Sequence, residues 1–163
     1  MPLEIDSEAT ARLMAMALDE ARLAAGQGEV PAGAVVAEAD GTFLASGRNQ
    51  VIALSDPTAH AEILAMRKAA GIKGNYRLGG LILVSTIEPC PMCLMAAIHA
   101  RLDRIFYGAP EPKWGAAGSR LCLHGMPWLN HRPVVAGGLM AEDCAALIQA
   151  FFRERRGKNQ TDG

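Results

Sequence analysis

The chain has 163 residues, of which 50% are hydrophobic and 20% are charged, and this size and composition predict one compact domain with a substantial core. Its formal net charge of −1 and pI near 6.4 exclude an overall electrostatic attraction to nucleic acid, so RNA binding would have to rest on a local basic patch. The acidic amino terminus and the short apolar stretches fit neither a signal peptide nor a membrane span, which predicts a cytoplasmic protein.

Apolar periodicity, turn residues and helix caps divide the chain into alternating helices and strands. Ser7 and Asp56 are the candidate side-chain caps of the first two helices, and Asp40-Gly41 is a turn signal that predicts a hairpin. The predicted elements are helix 7–25, strands 31–38 and 42–46, helix 56–71, strand 81–86, helix 91–100, strand 104–109, strand 133–136 and helix 141–156. This order favours an α/β fold with helices on both faces of one sheet. We expect a single domain over 1–156 and a disordered tail over 157–163.

Two short motifs stand at predicted helix starts, His60-Ala61-Glu62 and Pro89-Cys90-Pro91-Met92-Cys93. One imidazole and two thiolates are ligands that zinc prefers, and a catalytic zinc keeps its fourth position open for water. His60, Cys90 and Cys93 are therefore the candidate zinc ligands, and Glu62 is the candidate general acid and base. Taken singly, a C-x-x-C or a lone histidine is more often structural. Together the motifs match the signature of zinc nucleobase deaminases.

The position of these motifs at helix starts is needed for the chemistry. A regular helix turns by about 100° per residue, so His60 and Glu62 would point about 200° apart in mid-helix and could not share a site. At a helix start, both side chains can face a metal beyond the end of the helix. The positive ends of two helix dipoles would then favour thiolates at Cys90 and Cys93. The other two cysteines, Cys122 and Cys144, are predicted to be buried apolar residues.

Further segments along nearly the whole chain are similar to the bacterial tRNA-specific adenosine deaminases, a branch of the cytidine-deaminase-like zinc enzymes. These segments are 28–35, Asn49, 56–63, 75–78, 88–93, 115–119, 130–132 and 151–153. The zinc signature is shared by all cytidine-deaminase-like enzymes, whereas the Gly-Ala-Ala-Gly-Ser loop and the Phe-Phe-Arg helix are more particular to the tRNA branch. The resemblance implies a three-layer α-β-α fold of the cytidine-deaminase type, with a mixed sheet of about five strands.

The resemblance also implies one zinc ion per chain with a bound water or hydroxide, and conversion of adenosine to inosine at the wobble position of a tRNA anticodon loop. It implies a homodimer with no membrane association. Glu62 would protonate the purine ring nitrogen and then the departing amine. Asn49 would offer its amide to the purine edge, with the backbone of Ala61 and Pro89 at the pocket wall. The ordinary alternative for Asn49 is a loop residue that follows a strand.

Residues near the carboxyl terminus and in the loop 110–119 are candidates for contact with RNA. Lys113 and Arg153 could contact phosphates, Phe152 could stack near the flipped base, and Glu111 lies in the same long loop as Lys113. The competing interpretation is that arginines in a last helical turn are a solvated end that interacts favourably with the helix dipole. Phe152 could equally be a core residue.

The sequence departs from the family pattern in the segments that hold tRNA in the family. Glu111 stands in place of Asp, Trp114 in place of a small residue and Gly125-Met126 in place of two His, while Pro110 and Pro112 stiffen the loop. These departures motivate an alternative function, deamination of a free base such as guanine or cytosine. A further alternative is a non-catalytic, zinc-stabilised RNA-binding subunit, against which the presence of Glu62 argues.

Overall fold

One mixed β-sheet organises residues 6–161, the part of the chain that this computed structural model describes. Its five strands are β1 (Gly33–Glu38), β2 (Phe43–Arg48), β3 (Leu81–Ile87), β4 (Arg104–Ala109) and β5 (Val134–Ala136), in the spatial order β2-β1-β3-β4-β5. Strand β1 is antiparallel to both of its neighbours, whereas β3, β4 and β5 run parallel. The predicted α/β fold with a mixed sheet of about five strands is confirmed.

Four helices cover the two faces of this sheet. They are α1 (Ser7–Gly26), α2 (Ala61–Lys73), α3 (Pro91–His99) and α4 (Ala141–Thr161). Successive side chains of a strand point to opposite faces, so Val35 packs with α1 and α4 while Val36 packs with α2 and α3. None of the helices in residues 6–161 combines the length and the apolar character needed to cross a membrane.

The strand directions bring three chain segments to one edge of the sheet. Because β3 and β4 are parallel, the chain leaves both at this edge, towards Cys90 and Pro110 respectively. The antiparallel pairing of β1 with β3 and β2 places the end of β2 there as well, and Asn49 follows it. The backbone topology alone therefore brings most of the predicted site residues to one edge of the sheet.

The second helix begins later than the sequence predicts. Asp56 does not cap it, because the Asp56 carboxylate accepts hydrogen bonds from the Thr58 backbone N–H (2.8 Å) and hydroxyl (2.7 Å) in a local turn. His60 is the residue that precedes the first helical turn, and α2 starts at Ala61. The helix also runs past Gly71 to Lys73, because Gly74, with φ of 63°, supplies the left-handed conformation that ends it.

Three smaller predictions also differ from the structure. Asp6, not Ser7, caps α1 by accepting a hydrogen bond of 3.1 Å from the Glu8 backbone N–H. Helix α4 continues to Thr161, so 157–161 is helical where a disordered tail was predicted, since Gly157 is followed by residues that tolerate a helix; residues 162 and 163 lie outside the described part. Cys144 is buried as predicted, but Cys122 is exposed because it lies in the irregular segment before β5.

Candidate active site

The three candidate ligands converge at the starts of α2 and α3. His60 and Cys90 each hold the residue position immediately before a helix, with extended backbone ψ angles of 154° and 171°. Pro91 follows at the first helical position, where its missing N–H leaves no hydrogen bond unmade. The Nδ1 atom of His60 lies 3.6 Å from the Cys90 sulfur and 3.5 Å from the Cys93 sulfur. Helix-start placement therefore gives the shared site that the sequence predicts.

The spacing of these ligand atoms fits a tetrahedral zinc ion. Zinc–sulfur bonds of about 2.3 Å and zinc–nitrogen bonds of about 2.0–2.1 Å at tetrahedral angles place a nitrogen and a sulfur about 3.6 Å apart. The three ligand atoms all lie within 4.8 Å of one another. Within residues 6–161 this is the only group of three or more His, Cys, Asp or Glu side chains arranged for a metal. Three protein ligands without a fourth are the donor set of a catalytic zinc site.

The electrostatics of the two cysteines favour metal binding. The pKa of Cys90 is lowered to about 4, mainly by a hydrogen bond from the Cys93 thiol, and a hydrogen bond with His60 contributes to the same shift. This shift favours the thiolate form of Cys90, which is the form that binds zinc. The same hydrogen bond, together with burial, raises the pKa of the Cys93 thiol, which acts as the donor. The bond to Cys90 also raises the pKa of His60. A thiol that coordinates zinc loses its proton outright.

Glu62 lies in the first turn of α2 and is 6% exposed. Burial raises the pKa of its carboxyl group, and the thiolate of Cys90 raises it further, while a hydrogen bond with Cys93 opposes the shift. A buried carboxyl group with a raised pKa beside a metal site has the properties of a group that both accepts and donates a proton.

The close approach of α2 to the sheet depends on Gly47, where a Cβ atom would lie 2.5 Å from the Ala61 carbonyl oxygen.

Asn49 has an unmet hydrogen-bonding capacity at the same edge of the sheet. Its side-chain nitrogen donates to the Val30 carbonyl oxygen at 3.4 Å, and its backbone N–H donates to the Ala32 carbonyl oxygen at 3.0 Å. Its side-chain oxygen is the one buried side-chain oxygen or nitrogen in the described residues that has no hydrogen-bond partner. Such orphaned atoms are rare in folded proteins and call for a ligand or a water molecule.

Glu88, for which the sequence predicts no individual role, holds the loop 110–119 against the metal site. It is 2% exposed, and its carboxylate accepts hydrogen bonds from the backbone N–H groups of Glu111 (3.2 Å), Ala117 (3.1 Å) and Ser119 (3.1 Å) and from the Ser119 hydroxyl. A Cβ at Gly115 would lie 2.2 Å from this carboxylate. The available signal was an acidic residue directly after a strand buried on both faces.

Both predicted wall residues, Ala61 and Pro89, are buried next to the ligands. The Pro89 carbonyl oxygen accepts a hydrogen bond of 2.9 Å from the Ala116 backbone N–H, which ties the loop to the residue before Cys90. Glu111 is engaged within the loop, since its carboxylate accepts a hydrogen bond of 2.9 Å from the Lys113 backbone N–H. The structure therefore places Glu111 at the base of a turn.

The other predicted RNA contacts line a separate groove of about 830 Å³ between Lys113 and α4, called here the α4 groove. Its lining residues are Lys113, Ile148, Gln149, Phe152, Arg153, Arg155, Arg156 and Asn159. None of the zinc ligands lines it. Phe152 is partly exposed, whereas Phe151 is buried, so one of the two aromatic residues belongs to the core and the other faces the groove. The predicted substrate residues thus form two groups, one at the metal and one along α4.

Arg155 also has a structural contact. Its guanidinium stacks over the Phe151 ring, 4.7 Å from the ring centroid, and donates a hydrogen bond of 2.8 Å to the Gly28 carbonyl oxygen. It therefore joins α4 to the connection between α1 and β1. Arg153 donates a bond of 3.4 Å to the Gln149 carbonyl oxygen within its own helix.

The fold and the site together define the class of zinc-dependent nucleobase deaminases: a sheet covered by helices on both faces, with a His/Cys/Cys site and a buried glutamate at two helix starts. The family profile of the cytidine and deoxycytidylate deaminase zinc-binding region matches residues 7–109. The chain belongs to this family and is a zinc-dependent hydrolytic enzyme, as the sequence predicts.

Two relatives and one solved structure extend the similarity beyond the zinc region. The tRNA-specific adenosine deaminase of Haemophilus influenzae is 40% identical over 94% of this chain and 88% of its own length. That of Agrobacterium fabrum is 43% identical over 88% of this chain and 93% of its own. A solved structure from a study of A-to-I editing by tRNA:A34 deaminases at the wobble position of transfer RNA is 42% identical, with a TM-score of 0.81. It covers 83% of this chain and 98% of that one.

Proposed function

We propose that this protein deaminates adenosine to inosine at the wobble position of a tRNA anticodon. The observation that carries the proposal is that the similarity to tRNA-specific adenosine deaminases spans the loop 110–119 and reaches towards α4 as well as the zinc site, with 88–94% of the chain aligned. The zinc site supports the reaction, and the flanking segments support the substrate.

His60, Cys90 and Cys93 would hold the zinc ion. The ion would act as a Lewis acid and make a water molecule nucleophilic at neutral pH. Glu62 would take the proton that this water gives up and deliver it to the purine ring nitrogen, which makes the neighbouring carbon electrophilic. After the water oxygen has bonded to that carbon, Glu62 would take the remaining proton of the added hydroxyl group and pass it to the amine, which leaves as ammonia. The burial of Glu62 supports these roles, because a raised pKa allows the carboxyl group to hold the proton between steps.

Asn49 and the wall formed by Ala61 and Pro89 would orient the base. The unpartnered side-chain oxygen of Asn49 is an acceptor in need of a donor, and a purine edge can supply one. Burial of Ala61 and Pro89 beside the ligands keeps the wall apolar and limits access of water. These contacts would fix the flipped adenosine so that its reacting carbon faces the activated water.

The α4 groove would carry the RNA backbone. Lys113 and Arg153 both line it, and Phe152 adds an exposed aromatic ring to the same lining. Phosphate contacts position an RNA without reading its sequence, and aromatic side chains stack on unpaired bases. This local cationic surface supports RNA binding by a chain whose formal net charge is −1. We further infer that the protein acts as a cytoplasmic homodimer, as the resemblance implies.

The test is an assay of the purified zinc-loaded protein on an anticodon stem-loop with adenosine at the wobble position. The expected result is ammonia release with one inosine per RNA, measured by mass spectrometry of the digested product. The matched control is the same stem-loop with guanosine at that position. Turnover of free guanine or cytosine with an unchanged stem-loop would establish the free-base alternative. Zinc bound without turnover of any of these would establish the non-catalytic alternative.

A further inference from the structure

Trp114 is a large aromatic side chain that the fold leaves in solvent. It is 69% exposed, and it belongs to the loop 110–119. Exposure of an indole ring forgoes the stabilisation that its burial would give, and tryptophan is mostly buried in folded proteins. Single exposed apolar residues are ordinary, so exposure alone assigns no role. The surroundings of Trp114 distinguish it from the other exposed apolar side chains.

The loop holds Trp114 in a fixed place relative to the metal site. Its neighbour Gly115 donates a hydrogen bond of 2.8 Å to the Glu111 carbonyl oxygen, which closes a turn around Trp114. Glu88 anchors the loop on both sides of this turn, through the N–H groups of Glu111 and Ala117. Because Glu88 lies two residues before the ligand Cys90, the position of Trp114 is coupled to the metal site by hydrogen bonds and a short stretch of chain.

The other neighbour of Trp114 is Lys113, a residue of the proposed RNA-binding surface. Lys113 lines the α4 groove together with Arg153 and Arg156. Trp114 therefore follows a residue of the α4 groove and precedes Gly115, which lies against the carboxylate of Glu88. An RNA strand bound along the groove at Lys113 would place its unpaired bases near this position.

We propose that Trp114 is a stacking platform for a base that flanks the deaminated adenosine. The inference rests on the proposed function and adds a binding residue to it. Unpaired RNA bases stack on aromatic side chains in many RNA-binding proteins, and such stacking tolerates every base because each has a π-face. The cations beside Trp114 make the surface complementary to the charged backbone of the same strand. When the adenosine flips out of the anticodon loop, the flanking bases lose their stacking contact with it. The indole ring of Trp114 replaces that contact for one of them.

The first experiment compares two variants on the wobble-adenosine stem-loop. Trp114→Ala is expected to lower kcat/KM by roughly 5- to 100-fold, mostly through KM, because stacking contributes of this order for each base. Trp114→Phe retains most of the activity, since an aromatic face remains. The matched control is Tyr76→Ala, because Tyr76 is 71% exposed but precedes the amino end of β3, at the opposite edge of the sheet. Tyr76→Ala is expected to leave kcat/KM unchanged.

The second experiment identifies the stacked base. Stem-loops that lack one flanking base at a time are assayed with the wild type and with Trp114→Ala. We expect one of these RNAs to lower the kcat/KM of the wild type by the same factor as Trp114→Ala does on the intact stem-loop. On that RNA the kcat/KM of Trp114→Ala should fall no further, because the two changes remove the same interaction. Fully additive losses on every such RNA would overturn the proposal.

Two further outcomes are decisive. If Trp114→Ala changes the sedimentation mass of the zinc-loaded protein, Trp114 is a contact between copies of this chain and the proposal is wrong. If the wild type forms no inosine on the intact stem-loop, the proposed function fails and this inference falls with it. If the wild type and Trp114→Ala form inosine at the same rate, Trp114 is not a stacking platform, although the proposed function still holds.

Discussion

The segments that follow β3 and β4 lie at the same edge of the sheet, but they are built differently. After β3 the chain turns at once into α3, and its ligand Cys93 is fully buried. After β4 the chain forms the long loop 110–119, which exposes Lys113 and Trp114 while its backbone is held by Glu88. Chemistry that needs fixed ligand positions is thus placed on helix starts. In the proposed function, recognition of an extended substrate depends on side chains that reach outward from an anchored loop.

This contrast predicts two kinds of mutational response. Loss of one zinc ligand at the helix starts should abolish the reaction, because a metal site with too few ligands does not keep its ion. Loss of one side chain on the loop should weaken substrate binding by a graded amount, because several contacts share that task. The comparison would break if a loop variant behaved like a ligand variant, or the reverse.

The largest expected effect is that of Cys93→Ala. The substitution removes one of three ligands, so bound zinc should fall to background and deamination should be undetectable. The measurement is zinc content by atomic spectroscopy alongside ammonia release. Cys144→Ala is the matched control, because Cys144 is also buried, at 1% exposure, but its sulfur contacts Met14 on the other face of the sheet. A Cys93→Ala protein that retained full zinc would remove Cys93 from the ligand set.

The next effect is that of Glu62→Gln. The amide cannot accept and return the proton, so kcat should fall by about 10²- to 10⁴-fold, the usual contribution of general acid–base catalysis. Zinc content should match that of the wild type, because Glu62 is outside the ligand set. Single-turnover assays with saturating RNA measure the chemical step. Wild-type turnover by Glu62→Gln would refute the proposed mechanism while leaving the zinc site intact.

The sequence predicts the two helix starts at the metal site well for a local reason. Pro91 and the His60 and Cys90 motifs carry their own geometric requirement, since only a helix start lets them face one metal, and the structure places them there. Even here the details depend on side-chain competition. The Asp56 carboxylate accepts hydrogen bonds from Thr58 rather than from the first turn of the helix. Helix α2 therefore starts at Ala61, and His60 takes the position before it.

The segment after β4 is less predictable from sequence because its organisation depends on long-range contacts. The role of Glu88 requires backbone N–H groups that lie more than twenty residues further along the chain, as for Glu111 and Ser119. Likewise, the bond from Arg155 to Gly28 spans most of the chain. Local patterns contain no record of such pairs, and only the folded sheet brings them together.

Glu88→Gln tests whether the loop depends on this anchor, and its expected effect is intermediate. The amide nitrogen would face backbone N–H donors, so the free energy of unfolding should fall by about 1–3 kcal/mol. Misplacement of the loop should lower kcat/KM roughly tenfold. Zinc content should be unchanged. Thermal denaturation and stem-loop kinetics measure the two effects, with Glu142→Gln as the control because Glu142 is exposed in the first turn of α4. An unchanged kcat/KM would show that the loop keeps its place without Glu88.

The smallest effect is expected for Lys113→Ala, and it separates phosphate contact from base contact. Removal of one cation from the α4 groove should weaken binding of the stem-loop about fivefold at physiological salt, with kcat unchanged. The slope of log affinity against log salt concentration should become shallower by about 0.7–1, the value for one phosphate contact. Lys73→Ala is the control, since Lys73 pairs with Glu38 at the opposite edge of the sheet. An unaltered slope for Lys113→Ala would mean that RNA does not run along this groove, whereas a changed kcat would mean that the loop contributes to the chemical step after all.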